Sequence, residues 1–242
     1  MAHGTPDWWG EAPKSTTYGM NDMAELAVRL GAISTHDRRG DIIFWDDFTN
    51  GTARVYVSGS GSDYDAYPSL SAPLSSGIGL YLVTGDLADD LAWMSKELPY
   101  PVLGKIGVEC GFVTNTNLKY FKLRLWEYQS TFKREYAVRY SHQDGKIQAL
   151  DSDGSWKTVA TPGQLYEGYN DYAILKMVVD LLAVKHVRTI FDEHDYITDA
   201  YAPQQSAGTF CKSIGVDVEI TTNVAANLGI AVDNFIITQN EP

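Results

Sequence analysis

From Asp41 onward the chain is divided into short runs rich in β-branched and aromatic residues, separated by turn residues and without an intervening helical period. The runs are Ile42 to Phe48, Ala53 to Ser58, Gly79 to Thr84, Leu103 to Thr114, Lys119 to Gln129, Glu135 to His142, Lys146 to Leu150, Trp156 to Ala160, Ala173 to Asp180, Val184 to Phe191, Phe210 to Thr221 and Ala231 to Thr238. Many short strands with frequent turns exclude helix bundles and βαβ folds and predict an antiparallel sandwich or barrel. A chain of 242 residues fits one such domain plus an extension, since sandwiches of this size are commonly single domains. The 15 Tyr, 6 Trp and 8 Phe suit pleated, half-buried surfaces.

Alternation is clearest in Lys119 to Gln129. There Phe121, Leu123 and Leu125 point one way, and Tyr120, Lys122, Arg124, Trp126 and Tyr128 point the other. Pairing with Glu135 to His142 would set Trp126 and Tyr128 beside Tyr136, Tyr140 and His142, with Arg124 close by. Such an aromatic stripe could stack on sugar rings, pack against another protein, or pack within the chain. The Asp153-Gly154 dipeptide marks a tight hairpin between Lys146 and Trp156.

Residues 1–40 read differently. Through Tyr18 they are rich in Gly, Pro, Ser and Thr and carry the pair Trp8-Trp9, which predicts an extended arm. One short helix follows, capped by Asn21 or Asp22, with Met23, Leu26, Ala27 and Leu30 on one stripe before Gly31. Trp8, Trp9, Met23, Leu26 and Leu30 are therefore candidate assembly contacts, and the sandwich itself is expected over 41–242. Arg39-Gly40-Asp41 reads as a turn into the first strand.

A formal charge of −12 repels phosphate backbones and anionic lipid headgroups, which argues against nucleic-acid and membrane partners. No secretion signal or membrane-length apolar run is visible. Cys110 and Cys211 are expected as buried free thiols, and the five histidines lack metal-ligand spacing. Asp217-Val218-Glu219 puts two carboxylates on one strand face, which could serve acid/base chemistry but suits a solvated strand equally well. No Gly-x-Ser-x-Gly elbow, Gly-rich phosphate loop or His-Glu-x-x-His motif occurs. No cofactor is expected beyond a calcium ion held by loop carboxylates at Asp63 and Asp65, with Asp151-Ser152-Asp153-Gly154 a weaker candidate.

Ile43-Phe44-Trp45-Asp46-Asp47-Phe48 and Ala231-Val232-Asp233-Asn234-Phe235-Ile236-Ile237 resemble the first and last strands of concanavalin A-like and laminin-G-like jelly rolls. The runs Tyr172 to Asp180 and Val187 to Asp192 are similar to the central hairpin of that superfamily. The resemblance implies that the first and last strands lie together and that the fold is an all-β antiparallel jelly-roll sandwich. The segments Glu25 to Gly31 and Asp37 to Asp41 resemble the lead-in of tailed-phage virion structural proteins carrying such a sandwich.

The reading that follows is a non-enzymatic virion subunit, capsid-decorating or tail-associated, made in a host cytoplasm. Its partners would be other virion subunits or copies of itself in a homo-oligomer, joined through the arm. The alternative is a carbohydrate-binding module that takes a surface glycan on Arg124, Trp126, Tyr128, Tyr136 and Tyr140. A third reading is an inactive glycoside-hydrolase-like sandwich, because Glu193-His194-Asp195-Tyr196-Ile197-Thr198 approaches the superfamily's hydrolase signature but has Thr198 where the second catalytic carboxylate belongs.

Overall fold

The structure, a computed structural model, describes residues 39–61, 63–70, 78–102, 104–166 and 172–242. The sandwich unit begins at Arg39. The expected arm and helix, with Trp8, Trp9, Met23, Leu26 and Leu30, lie outside the described residues. All regular elements among the described residues are β-strands, and none of the described residues forms a helix long and apolar enough to cross a membrane.

The first sheet contains β1 (Asp41–Asp46), β3 (Asp65–Ser69), β4 (Gly79–Val83), β6 (Lys105–Val113), β11 (Tyr172–Asp180), β12 (Lys185–Phe191), β13 (His194–Ile197) and β16 (Gly229–Gln239). Its order is β13-β12-β11-β6-β16-β4-β3, with β1 also on β16. The second contains β2 (Tyr56–Gly59), β5 (Leu91–Pro99), β7 (Leu118–Tyr128), β8 (Phe132–Ser141), β9 (Lys146–Leu150), β10 (Trp156–Ala160), β14 (Gln204–Ala207) and β15 (Ser213–Thr222). Its order is β10-β9-β8-β7-β15-β5-β2, with β14 on β8. Every pairing is antiparallel. The first and last strands lie side by side, as the resemblance implied, and β11 and β12 form the expected hairpin.

The inward faces make one continuous core. Phe112 of the first sheet stacks on Phe121 of the second with centroids 3.8 Å apart, so aromatic contact ties the two layers directly. Gly154, at φ +78°, supplies the left-handed residue that closes the β9–β10 hairpin.

The outward face of the first sheet carries a buried ion cluster at the C-terminus. Glu241 accepts from Thr238 Oγ1 at 2.6 Å, lies 2.7 Å from Lys176 Nζ, and accepts from Arg188 Nη2 at 2.6 Å. Arg188 also donates to the Pro242 carbonyl. Gly107 leaves room for this carboxylate, since a Cβ there would sit 2.6 Å from Glu241 Oε1. The final residues are thus fastened to β11 and β12 by charge.

Two expectations about burial are corrected. Cys110 is buried, whereas Cys211 is exposed, because β15 starts only at Ser213 and Cys211 lies in the irregular segment before it. Tyr136 and Tyr140 are core residues with no exposed surface, and His142 is buried beside Tyr140. The physical reason is parity. In the β7–β8 register Tyr136 faces Leu125 and Tyr140 faces Phe121, both core positions, while Trp126 faces Glu135.

Both tyrosines keep a polar contact inside. The Tyr140 hydroxyl donates to the Gly163 carbonyl at 3.1 Å and accepts from the Leu165 amide at 2.9 Å. Tyr136 reaches Glu127, a buried carboxylate that also accepts from Tyr100 and Arg134 at the end of the sandwich. Desolvation and that carboxylate push the Tyr100 phenol up to about 12.

Candidate functional site

The outward face of the second sheet is built by the residues that alternate with the core. On β7 these are Tyr120, Lys122, Arg124, Trp126 and Tyr128; on β15, directly alongside, they are Gly215, Asp217 and Glu219; on β8 they are Lys133, Glu135, Ala137 and Arg139. Three of the five residues expected on an aromatic face, Arg124, Trp126 and Tyr128, are therefore brought together, and Tyr136 and Tyr140 are not.

Arg124 is the centre of the face. Its Nη2 donates to Glu219 Oε2 at 2.7 Å, its Nε lies 3.0 Å from Glu135 Oε1, and its Nη1 lies 3.6 Å from Asp217 Oδ2. Lys122 pairs with the other oxygen of Glu219. The Trp126 indole donates to Asp217 Oδ2 at 2.8 Å, which fixes the ring plane relative to the sheet. Tyr128 stacks beside Trp126 with centroids 6.4 Å apart, and Phe210 lies 5.3 Å beyond it. Lys133 Nζ sits 4.2 Å from the Trp126 centroid.

The carboxylates are deep in this surface, with Asp217 only 8% and Glu219 only 4% exposed, because longer basic and aromatic side chains stand around them. Burial raises the Asp217 carboxyl above its ordinary value, against the opposing pull of the Trp126 hydrogen bond and Arg124. Burial likewise lowers Lys122, against the attraction of Glu219. The Tyr128 phenol is raised, first by burial and then by the Asp217 charge.

This arrangement offers fixed aromatic planes beside a cluster of charged donors and acceptors. That combination suits polyhydroxylated rings, which present apolar faces and hydroxyl edges. The reading of Asp217 and Glu219 as ordinary solvated strand residues does not describe their place: both carboxylates hold this cluster together. The register places Asp217 opposite Arg124 and Glu219 opposite Lys122, and both signs of charge at matching parity on Lys122 to Arg124 and Asp217 to Glu219 were the available sequence signal.

The other candidates fall elsewhere. Glu193 lies in the turn before edge strand β13 of the first sheet. Asp195 is on that strand, 3.2 Å from Arg39 Nη2 and 3.8 Å from Arg188 Nε. The Asp65 carboxylate accepts from the Ala66 amide and Asp63 is exposed. Among the described residues, no group of three or more His, Cys, Asp or Glu converges to hold a metal ion at these loops or elsewhere.

No protein-family model matches the chain, and no curated protein does. Solved structures do share its fold. The conserved carbohydrate esterase of the Shiga toxin-encoding bacteriophage phi24B aligns with a TM-score of 0.58 at 12% identity, over 84% of this chain and 100% of that one. The cellulose-induced protein Cip1 gives 0.56 at 10% identity, over 81% and 96%. An endo-β-1,4-glucuronan lyase from the fungus Trichoderma reesei gives 0.56 at 7% identity, over 82% and 96%. At these identities what is shared is the two-sheet jelly-roll sandwich.

Proposed function

We propose that the chain is a non-enzymatic glycan-binding sandwich that engages sugar through the outward face of its second sheet. The observation that carries this reading is the Trp126 ring, fixed by Asp217 and flanked by Tyr128 and Lys133, next to the Arg124, Glu219 and Glu135 cluster. A pyranose stacked on Trp126 in place of the Lys133 ammonium that lies over the ring would set its hydroxyls among these charged groups. Carbohydrate-related names among the proteins of like fold agree with this reading. The absence of catalysis is supported by the state of the face carboxylates, since Asp217 and Glu219 are each held by a cation rather than set apart across an open cleft.

The test is retardation of the full chain in native gels cast with a panel of polysaccharides. Retardation by at least one polymer, lost in Trp126→Ala, supports the reading. Steady release of reducing ends that depends on Asp217 or Glu219 would overturn the non-enzymatic part.

The segment 1–40 supports a second, compatible role as a subunit of a tailed-phage virion that assembles through Trp8, Trp9, Met23, Leu26 and Leu30. Aromatic anchors carry a disproportionate share of interface energy, and Trp8-Trp9 supplies two. A bacteriophage protein of the same fold is in keeping with this role. Light scattering on the full chain should give an oligomer that the Trp8→Ala/Trp9→Ala double variant loses; a monomeric full chain would exclude self-assembly.

A further inference from the structure

The outward face holds a second aromatic station, at Arg139, away from the Trp126 end. Tyr120 and Trp126 are six residues apart on one face of β7, which is about 20 Å at strand rise. The Arg139 guanidinium carbon lies 3.8 Å from the Tyr120 ring centroid and 4.1 Å from that of Trp156. Its Nε donates to Gln148 Oε1 at 2.8 Å. Tyr120 comes from β7, Arg139 from β8, Gln148 from β9 and Trp156 from β10. Four adjacent strands thus hold one guanidinium.

Charge pairing sets this cation apart from Lys122 and Arg124 of β7. On the same face Arg124 has three carboxylates and Lys122 has Glu219. Among the described residues Arg139 has no carboxylate within ion-pair distance, and its two terminal nitrogens make no hydrogen bond. Rings and a neutral amide orient it, and the Asp144 and Glu219 carboxylates act on its charge only from beyond ion-pair distance. A planar guanidinium held in this way presents a fork of N–H donors suited to a carboxylate, and its partial burial already disfavours its charge.

We propose that Arg139 is the subsite for the carboxylate of an acidic sugar, so that the polymer taken by this face is a uronate-containing polysaccharide. The assignment rests on the glycan-binding reading of the same face. Lys133, over Trp126 and likewise without a carboxylate partner among the described residues, supplies positive charge at the other end. The overall charge of −12 opposes any anionic polymer at long range. At about 0.1 M salt that field is screened beyond roughly 10 Å, so contacts on the face decide binding.

The experiment compares uronate polymers (alginate, polygalacturonate, hyaluronate) with their carboxyl-reduced, neutral forms in affinity gels. The full-length wild type is run beside Arg139→Ala, Arg139→Lys and Trp126→Ala, with dextran and dextran sulfate as further arms. The inference expects at least one uronate polymer to be bound about tenfold more tightly than its reduced form, a difference that one charge-assisted contact supplies. Arg139→Ala should erase that preference, bringing the native and reduced forms to equal affinity, and Arg139→Lys should restore part of it. Trp126→Ala should weaken both forms alike.

Equal binding of native and reduced polymers, or a preference that survives in Arg139→Ala, overturns the inference and leaves the glycan reading standing. An Arg139 dependence seen with dextran sulfate alone overturns the carboxylate assignment in favour of sulfate. Retention of no polymer in any arm overturns both this inference and the glycan reading.

Discussion

The indole nitrogen of Trp126 donates to Asp217 Oδ2 at 2.8 Å, and Asp217 lies across the β7–β15 ladder from Arg124 rather than from Trp126 itself. The bond therefore runs diagonally between neighbouring strands and ties the aromatic part of the face to its charged part. Asp217→Ala should free the ring and remove one of the carboxylates around Arg124. We expect a loss of about 1–3 kcal/mol in stability, the usual cost of leaving a half-buried donor unpaired. Urea denaturation measures the stability, and the tryptophan near-UV dichroism should lose intensity in the same variant.

The parity of β8 separates two groups of aromatic substitutions. Tyr136→Ala and Tyr140→Ala each empty a fully buried site and should cost about 3–5 kcal/mol. Trp126→Ala, on the outward face, should cost much less, about 1–2 kcal/mol with its one hydrogen bond. Thermal or urea unfolding of the three variants checks the order. Equal losses would mean that the faces are assigned wrongly.

Much of this architecture could be read from the residues. β7, β11, β12, β15 and β16 follow from alternation or continuous apolar runs, and the pairing of β1 with β16 followed from a resemblance at the two ends of the sandwich. Four strands lack a sequence signal, β3, β5, β13 and β14: β13 is a four-residue edge strand that reads as a polar loop and is defined by its ladder with β12, and the other three each have a local reason. β5, Leu-Ala-Trp-Met-Ser-Lys-Glu-Leu-Pro, is rich in good helix formers and becomes a strand through its ladders with β15 and β2. β3 contains Pro68, which lowers its strand signal and is tolerated on an edge strand. β14 is polar and exposed throughout, and only its pairing with β8 makes it a strand.

The candidate site was half legible. The outward set of β7 is plain from alternation, but aromatic character alone groups Tyr136 and Tyr140 with it, and their parity on β8 turns them into the core. The charged residues Lys133, Glu135 and Arg139 at the opposite parity already marked which face of β8 looks outward. Trp156 and Gln148 join Arg139 only through the order of β7, β8, β9 and β10, which no local pattern encodes.

The C-terminal ion cluster predicts a strong effect from a residue next to the end of the chain. Glu241→Ala removes the carboxylate shared by Lys176 and Arg188, both nearly fully buried, and leaves Glu109 at 3.8 Å from Lys176 as partial compensation. A loss of about 3 kcal/mol is expected, at the low end of the cost of breaking a buried ion pair. Glu241→Gln should lose less, because the amide oxygen still accepts a hydrogen bond. Equilibrium unfolding in urea checks both.

His186 predicts acid sensitivity. It has no exposed surface and packs edge-on against Tyr136 at 5.7 Å, and burial pushes its imidazole down to about 4 from an ordinary 6.5. The folded value is the lower one, so the unfolded chain takes up the proton first as pH falls below about 6.5. The stability present above that pH is then lost progressively down to about pH 4, by about 3 kcal/mol in all. His186→Phe should remove this part of the pH dependence when unfolding curves at pH 7.5 and pH 4.5 are compared.

The measurement that bears most directly on the account is the retardation of wild-type protein and Trp126→Ala in polysaccharide-containing native gels, with unfolding curves for both. The account predicts that at least one polysaccharide slows the wild type, that Trp126→Ala migrates as though no polymer were present, and that the variant remains folded. Unretarded wild-type protein across the panel, or retardation that Trp126→Ala leaves unchanged, would contradict a glycan-binding role for this face.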